Sequence, residues 1–273
     1  MSQKRYKFGI IGFGEIAQKE HVPAIEKMGG VFFATSEESG MDVLLKTNID
    51  VVSICTPNYL HVDQAIKALD AGKKVILEKP IGVSLADAQR LLNHPLADTV
   101  AVCYQRRFNK ECQQIKQIGR ENIERVVAYV NVRRDPPYWK TWRSDIKKSG
   151  GGAVINIAIH YLDLLLWWLG EKHTIDFVQL AMLKNYPIDG VCVANLDFDG
   201  IPVRFQTNAI NDTRDIYMKV YLKNGKTIVY KTDDARHFDV YDNFLNKGIF
   251  VTPKEAFKSL QLVEEIYEAG KDR

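Results

Sequence analysis

The chain has 273 residues, 46% hydrophobic and 26% charged, with a formal net charge of +3. Such a length implies one or two domains, and the composition excludes a disordered chain. A charge this close to balance gives no reason to expect nucleic acid or an anionic membrane as a partner. The four cysteines, Cys55, Cys103, Cys112 and Cys192, form no CxxC pair. Cys55 and Cys103 lie in apolar runs as core thiols would, and no signal-peptide core follows "MSQKRYK", so a reducing, cytoplasmic setting is expected.

In chain order, a buried strand over 8–11 leads into Gly12-Phe13-Gly14-Glu15-Ile16-Ala17 and then a helical pattern ending at Gly29-Gly30. This is the G-x-G-x-x-A form of the dinucleotide fingerprint, with the strand before it and the helix after it that the chemistry requires. Gly12 permits a tight turn, Gly14 lets backbone approach a pyrophosphate, and small Ala17 lets helix and strand pack closely. The helix N-terminus then offers N–H groups to the phosphates. Gly12, Phe13, Gly14, Glu15 and Ile16 are therefore candidate cofactor-binding residues.

Three further strand–helix units follow, at 31–47, 50–72 and 73–93, and "TVAVCYQRR" adds a last strand. Ser84 reads as an N-cap, with Asp87 three residues on. Short apolar runs alternating with helices predict an N-terminal Rossmann-like, doubly wound parallel sheet, whose ligands bind outside the carboxyl ends of the strands. Thr56-Pro57-Asn58, Glu78-Lys79 and Gln105-Arg106 all fall at such ends and join the candidate set. The acid expected on the adenosine ribose has no clear owner among Ser36, Glu37 and Glu38; Ser36 is carried as the candidate. The residues do not choose between NAD and NADP.

After Arg107 the pattern becomes alternating strands, with hairpin turns at Asp199-Gly200 and Asn224-Gly225 and helices at about 156–169 and 253–270. The domains expected are 1–107, a dinucleotide-binding domain, and 108–273, an α+β domain with a largely antiparallel open sheet. The stretch "AIHYLDLLLWWLG" contains His160 and Asp163 and falls short of the roughly 20 residues a membrane span needs. Gly150-Gly151-Gly152 predicts a close approach of backbone to something, and Asn156, His160 and Asp163 at i, i+4 and i+7 fall on one helix face. That polar stripe in an apolar helix reads as a site, because buried polar groups need partners. No metal is expected: His160 and Asp163 lack a third ligand at sensible spacing.

Gly12-x-Gly14-x-x-Ala17, "CTPNYLH", "EKP" and "GGGAVINIAIHYLD", in this order, resemble the glucose–fructose oxidoreductase/inositol dehydrogenase (Gfo/Idh/MocA) family. The resemblance covers nearly the whole chain. It implies a nicotinamide cofactor, oxidation or reduction of a sugar or cyclitol carbinol, and a homo-oligomer, dimer or tetramer, formed through the C-terminal sheet. It also implies catalytic roles for Lys79 and His160 and brings His61 into the cofactor-binding set. Where the family usually has Asp, this chain has Asn156, a residue more like the branch that oxidises C3 of UDP-N-acetylglucosaminuronate for surface polysaccharides. Asn156 cannot take a proton and is left to orient substrate or His160. Either Lys79 or His160 is the base, and Arg106 and Arg143 head the arginines (with Arg107, Arg133 and Arg134) available to an anionic substrate. Only about 40 residues separate Gly14 from Cys55, where the family fits one more strand and helix, so one βα unit is expected to be missing, the ribose-binding strand itself. Against these readings stand a generic sugar or inositol dehydrogenase and a non-catalytic binding or regulatory protein.

Overall fold

The computed structural model describes residues 5–212, 214–231 and 236–271. The chain folds as two compact units, Met1–Gln105 with Ala235–Phe257, and Arg106–Asp234 with Lys258–Arg273.

The first unit carries a five-stranded sheet in the order β2-β1-β3-β4-β5, every pair parallel. Its strands are β1 (Lys7–Ile11), β2 (Val31–Thr35), β3 (Val51–Ile54), β4 (Lys74–Leu77) and β5 (Val100–Val102). Between them run α1 (Val22–Lys27), α2 (Glu38–Leu45), α3 (His61–Asp70) and α4 (Leu85–Leu92). Ser84 caps α4 as expected, accepting from the Asp87 N–H at 3.2 Å. Residues of β3 and β5 are buried throughout, which is why they read as unbroken apolar runs rather than as alternation. The register aligns Ile11, Thr35, Ile54, Leu77 and Val102 in one row. Gly12, Ser36, Cys55, Glu78 and Cys103 therefore follow at the same end of the sheet.

The strand β2 pairs with β1 from Lys7–Val31 to Ile11–Thr35 and forms the edge of the sheet, where Phe33 is 56% exposed.

The second unit begins with α5 (Lys110–Ile118) and β6 (Ile123–Asn131), then two single turns, α6 (Pro136–Trp139) and α7 (Ile146–Ser149). A π-helical turn, Val154–Ala158, opens into α8 (Ile159–Leu169). Strands β7 (Thr174–Met182), β8 (Asp189–Asp197), β9 (Pro202–Asn208), β10 (Asp215–Leu222) and β11 (Thr227–Lys231) complete a sheet of order β11-β10-β6-β9-β8-β7. Only the β6–β9 pair is parallel. Asp199 and Gly200 both have positive φ, as a type I′ hairpin turn demands. One sheet face, with Val126, Ala128, Val130, Phe205, Met218 and Val220, is buried, and so is nearly all of α8, including the apolar run ending at Leu169. The alternate residues Val127, Tyr129, Val191, Val193 and Tyr217 remain half-exposed on the opposite face.

A single boundary near residue 107 describes only the first crossing between units. The chain returns to the first unit with α9 (His237–Asp242), where Tyr241 packs 5.6 Å from Phe8 between ring centroids and Val251 bridges to Val102. From there α10 (Pro253–Lys271) leads back into the second unit.

Candidate active site

In the first unit the glycine turn is shaped for a ligand. Gly12 has φ +86°, and a Cβ there would stand 2.8 Å from the Cys55 carbonyl, so only glycine fits. At Gly14 a Cβ would meet nothing within 4 Å: the space beside its backbone is open, as close approach of a pyrophosphate requires. Ala17 is fully buried, letting the helix pack closely, while Glu15 and Ile16 are exposed at its start. Ser36 belongs to this turn, since its Oγ accepts the Phe13 N–H at 3.1 Å. The residues present thus fit a dinucleotide.

At the ends of β3 and β4 the polar residues divide into two kinds. Thr56 donates to Gln64 at 2.6 Å, and Asn58 is buried behind Pro57. His61 lies between two backbone carbonyls. Its ring is buried, with Nδ1 2.6 Å from the Pro80 carbonyl and Nε2 2.9 Å from that of Thr56, so it ties two loops together. Burial lowers its pKa, outweighing these contacts. Lys79 is half-buried, its peptide bond to Pro80 is cis, and its N–H donates to Glu78 Oε2 at 3.3 Å. Gln105, half-buried, closes this part of the unit.

Glu78 is buried and bonded through both carboxylate oxygens. Its Oε1 lies 3.0 Å from His21 Nε2 and 3.0 Å from His237 Nε2. Burial alone would raise its pKa, yet the two histidine hydrogen bonds hold it well below the usual carboxylate range. Burial also depresses the two histidines, and it prevails at His21; at His237 the nearby Glu20 and Glu78 push the value up to about 9. Neither His21 nor His237 was expected. His21 is the buried last residue of the π-helical turn Ala17–His21 that precedes α1, and His237 has no local signal because its partners lie far away in sequence.

In the second unit the polar stripe of the apolar helix separates into three tasks. Asp163, 1% exposed, forms a two-pronged ion pair with Arg107, Nε to Oδ2 and Nη2 to Oδ1 both 2.8 Å, and also accepts from Ser259 at 3.0 Å. Asp163 thus has Arg107 as its buried counter-ion. Asn156 donates through Nδ2 to the carbonyls of Gly151 and Gly152 at 2.8 and 3.0 Å. His160 is buried within α8. What the glycine run approaches is its own chain: Asp189 accepts the N–H groups of Gly152 and Val154 at 2.7 and 2.8 Å and the Tyr267 hydroxyl at 2.8 Å. A Cβ at Gly152 would collide with the Asp189 carbonyl.

The candidate arginines are likewise sorted. Arg106 lies over the Tyr161 ring at 4.8 Å and donates to the Tyr230 hydroxyl at 3.3 Å. Arg133 pairs with Asp135 and Asp212. Arg134 and Arg143 both stack on Tyr138, at 4.9 and 4.5 Å, and Arg143 also lies 4.6 Å from the Trp142 ring. One buried group of four possible metal ligands exists among the described residues, His21, Glu78, Cys103 and His237.

Comparison with known proteins adds the following. Residues 30–106 match the model of an oxidoreductase family with an NAD-binding Rossmann fold, and residues 116–228 match the GFO/IDH/MocA C-terminal domain. The chain is 26% identical over 252 residues to the 1,5-anhydro-D-fructose reductase of Ensifer adhaerens, covering 80% of this chain and 72% of that one. It is 31% identical over 144 residues to the scyllo-inositol 2-dehydrogenase (NAD(+)) of Bacillus subtilis, covering 50% of this chain and 40% of the relative. In fold it matches the WlbA dehydrogenase of Bordetella pertussis, solved in complex with NADH and UDP-GlcNAcA, at a TM-score of 0.83 and 23% identity, covering 100% of this chain and 97% of that one.

Proposed function

The chain belongs to the GFO/IDH/MocA family of NAD-binding sugar oxidoreductases, and from that premise we propose that its substrate is a nucleotide-sugar uronate of the UDP-N-acetylglucosaminuronate type, oxidised at the C3 carbinol. Nicotinamide, when bound, supplies the acceptor for the hydride leaving the carbinol carbon. The open space at Gly14 and the Ser36-supported turn are what the chain offers to hold that cofactor.

Loss of the hydride requires loss of the hydroxyl proton in the same step. We assign this to Lys79 and His160: an imidazole accepts a proton near neutral pH, and an ammonium stabilises the developing alkoxide. The reverse division, with Lys79 as base and His160 orienting the sugar, uses the same two groups. Asn156, committed through its amide to the Gly151 and Gly152 carbonyls, orients and does not titrate.

The observation that carries the substrate class is the pair Arg134 and Arg143 stacked on Tyr138, a cationic, aromatic patch suited to a carboxylate or diphosphate. A neutral hexose or inositol has no use for it. The fold likeness to a dehydrogenase holding UDP-GlcNAcA favours the same reading. The test is a substrate panel followed at the nicotinamide absorbance. NAD should be reduced with UDP-N-acetylglucosaminuronate, and turnover should fall with rising salt as arginine–anion contacts are screened. Salt-insensitive turnover of glucose or myo-inositol alone would replace this assignment with a generic sugar dehydrogenase. No NAD binding and no turnover on any sugar would leave a non-catalytic binding protein.

We further propose that the half-exposed sheet face bearing Val127, Tyr129, Val191, Val193 and Tyr217 joins copies of the chain. Tyr129 and Tyr217 are register partners with rings 5.1 Å apart. Light scattering should report a dimer or tetramer that Tyr129→Glu dissociates; a monomeric wild type would exclude it.

A further inference from the structure

Behind Lys79, inside the first unit, a hydrogen-bonded chain can be followed atom by atom. The Ser53 Oγ and Tyr241 hydroxyl are 2.6 Å apart, and that hydroxyl lies 2.8 Å from His21 Nδ1. His21 Nε2 and His237 Nε2 both reach Glu78 Oε1, while Glu78 Oε2 accepts the Lys79 N–H. Glu20 Oε2 stands 3.6 Å from His237 Nδ1. Ser53, His21, His237 and Tyr241 are 0 to 2% exposed, so the network is sealed from bulk solvent.

The proton positions follow from acceptor capacity. An ionised carboxylate only accepts, so both histidines present N–H to Glu78. A neutral His21 with its proton on Nε2 leaves Nδ1 to accept from Tyr241, which accepts in turn from Ser53. His237 Nε2 lies against Glu78 and its Nδ1 faces Glu20 across 3.6 Å; burial opposes the charge, but these two carboxylates push its pKa up to about 9 and so favour the doubly protonated ring. Cys103, whose thiol burial pushes well upward, stays protonated beside Glu78.

A metal ion held by His21, Glu78, Cys103 and His237 fits this geometry less well. Two ligands of a tetrahedral zinc at about 2.0–2.1 Å stand roughly 3.3–3.4 Å apart. Both nitrogen–oxygen separations here are 3.0 Å, the length of a hydrogen bond.

We propose that His237, together with His21, is a positioning residue for Lys79: the two imidazoles pin one Glu78 oxygen so that the other fixes the Lys79 backbone, while His61 holds the Pro80 carbonyl. The return of the chain to the first unit then has a functional reason, since α9 delivers His237 to the lysine. The proposal rests on Lys79 serving in proton transfer.

Its test has an arm that needs no substrate. Imidazole ¹⁵N NMR of the wild type at neutral pH should show His237 with both nitrogens protonated and His21 as the neutral Nε2–H tautomer. After reductive ¹³C-methylation, the Lys79 resonance, assigned with Lys79→Arg, should move in His237→Gln. A neutral His237, an unmoved Lys79 signal, or stoichiometric zinc in the purified wild type would overturn the proposal. In the kinetic arm, with NAD and UDP-N-acetylglucosaminuronate, His237→Gln should lower kcat about 10- to 100-fold with KM little changed, the cost of a small misplacement. Gln still donates to Glu78, so it should retain more activity than His237→Phe. Unchanged kcat in His237→Gln would likewise overturn it. If the wild type turns over no sugar, the substrate assignment fails while the NMR arm still decides the positioning.

Discussion

Replacing Asp163 by Asn separates a structural anion from a member of a catalytic stripe. The isosteric amide keeps the volume but removes the charge facing Arg107, and its one oxygen replaces two that now accept from Nε, Nη2 and Ser259. Asp163 is 1% and Arg107 8% exposed, so water cannot take over the guanidinium. Breaking a buried pair from one side costs about 3–5 kcal/mol, and the oxygen that Asn retains places this variant near the lower end. At roughly 2–4 °C per kcal/mol for domains of this size, the melting temperature should fall by about 6–12 °C. Urea unfolding followed by tryptophan fluorescence provides the second measurement, read for the transition that includes Trp167, whose ring lies beside Arg107. The double replacement Arg107→Met with Asp163→Leu should recover much of the loss, since an apolar pair leaves no charge stranded. A destabilisation below about 1 kcal/mol, or lost turnover at unchanged stability, would refute the structural reading and return Asp163 to the site.

Gly14→Val should abolish NADH binding by calorimetry while leaving the circular dichroism spectrum unchanged, because the new side chain enters space that holds no protein atom. Equal affinity would move the cofactor elsewhere. Lys79→Ala and His160→Ala should each lower turnover about 10²–10⁴-fold, and full activity in either would remove that residue from the chemistry. The pKa of His237 is raised to about 9 by its neighbours Glu20 and Glu78, so protonation stabilises the fold fully below the unfolded value near 6.5. That contribution is lost as pH rises through about 9. Stability measured from pH 6.5 to 9.5 should therefore decline more steeply in the wild type than in His237→Gln, and parallel curves would show His237 neutral.

Much of the first unit was legible in the sequence because its determinants are local. The fingerprint Gly12 to Ala17, the short apolar strands and the Ser84 cap each depend on neighbours a few positions away, and parallel strands buried on both faces are unbroken apolar runs. The same holds for the Asp199-Gly200 hairpin, whose turn needs two positive φ values in succession. Only the tertiary structure shows which partners the polar residues have. Asn156, His160 and Asp163 look equivalent on a helical wheel, yet Arg107, 56 positions before Asp163, claims its carboxylate. The three glycines announce a close approach without naming what is approached, which proves to be Asp189 and Tyr267. Glu78 and Lys79 mark a strand end, but the imidazole that grips Glu78 arrives from position 237. Periodicity and turn chemistry act over a handful of residues and can be read directly, whereas the partner of a buried charge is chosen by topology, which brings together groups that share no local pattern.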